Sequence, residues 1–103
     1  MELGRADAGT SHDVTVGSTI VICLSETPTT GYRWQASVSD PTLLTPVDDA
    51  FTPGGTAPGA GGQRRLAFRA MAPGQATITL GLRRGWETAA APLESLAYPF
   101  RIG

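Results

Sequence analysis

Side chains on successive residues of a β-strand point to opposite faces, and this sequence repeats that period of two in short runs separated by glycine or proline. The pattern restricts the fold more than any other feature: thirteen glycines and eight prolines punctuate the chain, and no segment sustains the 3.6-residue period of a helix. Residues 19–25 are rich in β-branched side chains, with Ile20, Ile22 and Leu24 on one face and Val21 and Cys23 on the other. They read as a central strand. Residues 32–38 place Tyr32, Trp34, Ala36 and Val38 inward, residues 63–71 place Leu66, Phe68 and Ala70 inward, and residues 75–82 place Ala76, Ile78, Leu80 and Leu82 inward. Residues 96–102 alternate Leu96, Tyr98, Phe100 and Ile102, and Pro99, which cannot donate to a ladder, predicts an edge position. Shorter strands are predicted at 13–16 and 43–47, the latter at an edge because of Pro46. The expected fold is an all-β, immunoglobulin-like antiparallel β-sandwich of about seven or eight strands. The 103 residues suit one domain, here residues 13–103, after a polar and flexible N-terminal segment, residues 1–12.

Several functions are closed by composition. The eight basic residues are all arginine and the net charge is -1, so the basic excess that releases phosphate counterions is missing and no nucleic-acid partner is expected. Without lysine there is no Walker-type or Schiff-base lysine. One cysteine and one histidine exclude an intrachain disulfide and are too few for a zinc cluster; no metal and no cofactor is expected. Ser11, His12 and Asp13 are consecutive, and neighbours on a chain cannot converge on one substrate atom as a triad does. Cys23 reads as a core cysteine without a histidine partner. The chain is not expected to be an enzyme. No apolar run approaches the ~20 residues of a membrane helix, so no membrane partner is expected; residues 1–13 lack a signal-peptide pattern, and the compartment is left open. Arg64, Arg65 and Arg69 read as a basic stripe on an outer face, solvated and without function.

The connections divide into two kinds. Gly17-Ser18, Asp40-Pro41 and Ala72-Pro73-Gly74 are tight turns. Residues 26–31, 51–62 and 83–95 are longer, and if each connection reverses the chain, these three are the second, fourth and sixth and emerge at the same end. Such a cluster of enlarged loops is a candidate binding surface. The first contains Thr27-Pro28-Thr29-Thr30-Gly31-Tyr32, stiffened by the proline ring and two β-branched residues before a permissive glycine; it is either a plain turn or a rigid docking tip. The second contains Gly59-Ala60-Gly61-Gly62, which lacks the lysine and following helix of a phosphate loop and reads as a linker or a place of close backbone approach. The third contains Arg84-Gly85-Trp86, where the indole is either a lid on the core or an exposed anchor.

Together and in this order, the three motifs resemble those of the chagasin family of cysteine-protease inhibitors, whose members carry Asn-Pro-Thr-Thr-Gly-Tyr/Phe, Gly-x-Gly-Gly and Arg-Pro-Trp on three loops at one end of the sandwich. Thr27 stands in place of the asparagine and Gly85 in place of the proline. The resemblance implies a papain-like cysteine protease as partner, inhibited reversibly and competitively without a covalent step. It implies that Pro28, Thr29, Thr30 and Gly31, followed by Tyr32, enter the catalytic cleft. Gly59, Ala60, Gly61 and Gly62 would embrace one rim, and Arg84, Gly85 and Trp86 would rest on the other. A monomer is expected. The competing expectation is an immunoglobulin-like adhesion or binding module that shares the loops without inhibiting a protease.

Overall fold

The strands form where the alternation places them, because each buries its apolar face against a second sheet. A computed structural model describes residues 1–54, 61–84 and 91–103, apart from the side chain of Pro28. In chain order the strands are β1 (Glu2–Leu3), β2 (His12–Val14), β3 (Thr19–Glu26), β4 (Tyr32–Val38), β5 (Leu44–Pro53), β6 (Gly62–Ala70), β7 (Gly74–Arg84) and β8 (Glu94–Ile102). They make two four-stranded sheets, ordered β1-β3-β6-β5 and β2-β8-β7-β4. Ile20, Ile22, Leu24, Leu66, Phe68 and Ala70 of the first sheet share one core with Trp34, Ala76, Ile78, Leu80, Tyr98, Phe100 and Ile102 of the second. Each large side chain buried this way contributes about 1.5–3 kcal/mol. Ala36, expected inward, is exposed, because β4 and β5 are the margins of their sheets and leave an open hollow between Ala36, Val47, Leu66 and Phe68.

The sandwich is not antiparallel throughout. β3, β6 and β5 are antiparallel, as are β4, β7 and β8, but β1 runs parallel to β3 and β2 parallel to β8. The N-terminal segment follows one sheet, crosses over, and continues along the other. Residues 1–12, expected to be a flexible lead-in, thus carry β1, a 3-10 turn at Arg5–Asp7 and the start of β2. Leu3 is buried, and the Tyr98 hydroxyl donates to the Gly4 carbonyl oxygen at 3.0 Å. Burial and the Asp7 carboxylate push the Tyr98 phenol up, which keeps it a neutral donor. Arg5 reaches both Glu94 carboxylate oxygens, at 3.0 and 2.9 Å. These partners lie near the far end of the chain, which is why local polarity did not reveal them.

Three other expectations need correction. β8 is not an edge strand: it lies between β7 and β2. The Ala97 carbonyl accepts from the Gly9 amide on the β2 side, so the odd-numbered residues of β8 turn their backbone groups away from β7. The missing donor of Pro99 faces that way too, just short of Phe100, where β2 begins to pair. Pro46 does lie on an edge strand, where the register shifts between Pro46 and Asp48. Cys23 is half-buried and not in the core, since it faces outward on β3. Finally, Arg64 is no part of an outer stripe. It shares the inward parity of Leu66 and Phe68 and is buried, whereas Arg65 and Arg69 are exposed.

Candidate functional site

The register brings the ends of the three longer connections together. Glu26 at the end of β3 and Pro53 at the end of β5 both stand opposite Gly62 at the start of β6. In the other sheet Tyr32 opposes Arg84, and Leu82 opposes Glu94. The two sets are joined across the sandwich by the Trp34 amide, which donates to Glu26 Oε2 at 3.3 Å. One end of the molecule therefore carries every strand terminus that flanks these connections. β5, β7 and β8 run further into them than the alternation predicted.

The tip between β3 and β4 is a single 3-10 turn, Pro28–Thr30. The amide and the hydroxyl of Thr30 both donate to the Thr27 carbonyl oxygen, at 3.2 and 2.7 Å, and the Tyr32 amide donates back to the Thr30 hydroxyl at 3.3 Å. Gly31 leaves the turn at φ 80, a left-handed conformation that strains any residue with a Cβ. Thr29 and Thr30 are exposed. The tip is thus braced by the hydroxyl of Thr30, while the Thr27 hydroxyl faces the second connection: a Cβ on Gly61 would lie 3.3 Å from Thr27 Oγ1. That connection is closed at its base by the Gly54 amide donating to the Gly61 carbonyl at 2.9 Å. Beside the tip, the Arg84 guanidinium lies over the Tyr32 ring at 4.8 Å. Leu82 and the exposed Leu93 complete a shallow apolar hollow with Thr27, Thr30 and Tyr32. Gly59, Ala60, Gly85 and Trp86 lie outside the described residues.

Sequence reasoning missed the charged group underneath. Glu26 Oε1 accepts from Arg64 Nη2 at 2.8 Å and Oε2 from Arg64 Nε at 2.9 Å, while Arg64 Nη1 donates to Asp49 Oδ1 at 3.0 Å. The Glu26 and Arg64 side chains are only 1% and 9% exposed. The signal was the parity of Arg64; its partner is 38 positions away. Burial pushes the Glu26 carboxyl up, but the Arg64 bonds, the Trp34 amide and the nearby arginine charges outweigh it and hold it below the ordinary carboxylate range. Hydrogen bonding to Glu26 raises Arg64 in turn.

A carboxyl that binds its proton more weakly folded than unfolded stabilises fully above its unfolded value of about 4.3, and the stabilisation is lost as pH falls through the folded value. Melting temperature should therefore fall in acid, and Glu26→Gln should show a shallower fall. Glu94, lowered beside Arg5, adds to the slope in both proteins, so the difference between them reports Glu26. Parallel acid limbs would refute this.

Among the described residues, no three histidine, cysteine or acidic side chains are grouped to hold a metal ion. His12 places Nε2 2.9 Å from the Asp7 carbonyl oxygen and its ring against Phe100, so its contacts are those of a packing residue.

The sequence model of the chagasin family of peptidase inhibitors, I42, matches residues 13–100. No curated protein matches in sequence. The crystal structure of the cysteine protease inhibitor EhICP2 from Entamoeba histolytica superposes with a TM-score of 0.87 at 25% identity, over 99% of this chain and 94% of that one. The solution structure of amebosin gives a TM-score of 0.68 at 24% identity, over 99% and 96% of the two chains. PbICP-C, solved in complex with falcipain-2, gives 0.58 at 15% identity, over 99% and 88%. The last two likenesses establish the shared fold. With its family match spanning both sheets, the chain belongs to the chagasin family of peptidase inhibitors and is an inhibitor rather than an enzyme.

Proposed function

We propose that the protein inhibits papain-like cysteine proteases reversibly and competitively, as a monomer and without a covalent step, by occluding the catalytic cleft with its loop end. The observation that carries this reading is the convergence at one end of all the strand termini flanking the three connections, with the braced turn at Pro28–Thr30 among them. In it, Pro28, Thr29, Thr30 and Gly31 enter the cleft and Tyr32 backs them. Gly59, Ala60, Gly61 and Gly62 line one rim, and Arg84, Gly85 and Trp86 the other. Nucleic acid and membrane take no part.

Family membership and the likeness to EhICP2 support a cysteine protease as the target class. The local bonds of Thr30 support the role of the tip, since a turn already ordered in the free protein loses less entropy on docking. In this reading the same rigidity protects the tip from cleavage, because attack needs a peptide carbonyl about 3–3.5 Å from the thiolate in near-attack geometry. Three loops can supply a contact of standard size, about 800 Å² on each partner.

Titration of papain or cathepsin L tests this. The protein should inhibit at or below micromolar concentration, raise apparent KM without lowering kcat, release active enzyme on dilution, and keep its intact mass after long incubation. Trp86→Ala should weaken inhibition by about 30-fold, the loss of one hot-spot anchor of about 2 kcal/mol, and Thr29→Ala should weaken it less. Failure of the parent to inhibit would favour a binding module that shares only the loops.

A further inference from the structure

The charged group beneath the loop end links the strands that carry two of the connections. Glu26 ends β3 and takes hydrogen bonds from Arg64 on β6 and from the Trp34 amide on β4. Arg64 in turn reaches Asp49 on β5, and its guanidinium lies over the Phe51 ring of the same strand at 5.5 Å. β3 and β4 flank the tip of residues 27–31; β5 and β6 flank residues 54–61. Two side chains thus tie all four strands at the point where they enter these two connections. We infer that the Glu26–Arg64 pair is a positioning element that sets the gap between the tip and the base of the second connection at Gly54 and Gly61, and so fixes the spacing offered to the protease.

The inference rests on the proposed inhibition and adds residues that touch no partner. Its physical basis is that a planar guanidinium fork donates to a carboxylate only in fixed geometry, whereas apolar side chains of similar volume fill the same space with looser directional preference. For stability alone the charges are dispensable, since a buried ion pair replaced by packed neutral groups is often as stable as the original. Its value here is directional. Thr27 and Gly61 already approach closely, with the Gly61 Cβ direction aimed at the Thr27 hydroxyl, so a small shift of β3 against β6 changes their spacing directly.

The test is the double variant Glu26→Gln/Arg64→Met, which keeps an acceptor for the Trp34 amide and the aliphatic stem while removing both charges. It should melt well above Arg64→Ala, because no charge is left buried without a partner. It should inhibit the protease about tenfold more weakly, chiefly through faster dissociation, as expected when a contact geometry is relaxed by a fraction of an ångström. Amide exchange should quicken at Thr30 and Gly54, whose bonds close the tip and the base of the second connection. A double variant that folds, inhibits like the parent and exchanges like the parent overturns the inference. If the double variant does not fold, Arg64→Lys decides: it keeps the charge and loses the fork, and unchanged inhibition and exchange would overturn the inference. The parent's own inhibition tests the functional reading separately, and amide exchange reads the loop spacing without any protease.

Discussion

Arg64→Ala is expected to lower the melting temperature by roughly 12–40 °C, because removing one partner leaves the Glu26 carboxylate buried and uncompensated, at about 3–5 kcal/mol, and each kcal/mol moves a domain of this size by about 4–8 °C. The Glu26 side chain is 1% exposed and receives both the Nε and Nη2 bonds, so water cannot replace the guanidinium without opening the core. Asp49, by contrast, is 52% exposed and can be solvated. Arg65→Ala is the matched comparison. One residue along, it points to solvent, and its removal should fall within about 0.5 kcal/mol of neutral. Thermal melts of the two variants side by side decide the matter: if Arg64→Ala melts like Arg65→Ala, the buried pair does not stabilise this end of the fold.

Gly62→Ala is expected to have the second large effect. An added Cβ would meet the Thr52 carbonyl oxygen, with Phe51 Cζ at 2.6 Å and Pro53 Cα at 2.9 Å. Backbone of β5 supplies two of these contacts, so the strand itself must move away from β6, where the two bracket the second connection. Overpacking of this kind costs about 1–3 kcal/mol, and displacing the rim should weaken inhibition at least about tenfold. Gly61→Ala meets a softer neighbour, the Thr27 hydroxyl at 3.3 Å, and should leave the melting temperature nearly unmoved. The two glycines are adjacent in one motif and indistinguishable by sequence, so equal melting temperatures for the two variants would show that the close approach of β5 is unimportant.

How far the residues themselves could be read varies along the chain. The inward sets Ile20/Ile22/Leu24, Leu66/Phe68/Ala70 and Tyr98/Phe100/Ile102 are core, as their alternation required. β1 escaped notice because two residues are too few to show any period. The basic stripe failed for a different reason. Arginine is seldom buried without a partner, and nothing near Arg64 in the chain announces Glu26, so its charge was weighed above its parity.

Which side chains face in and which face out follows from the amino-acid order alone, since the pleat has a period of two and neighbouring residues set it. The same order supplied the three motifs and the inference that their connections share one end. Strand neighbours were decided elsewhere: that β1 and β2 belong to different sheets, that β8 is covered, and that Glu26 meets Arg64 all depend on register between segments dozens of residues apart. Such pairings are settled by which combination buries the most apolar surface and leaves no buried charge unmatched, a condition that exists only once both sheets are in place.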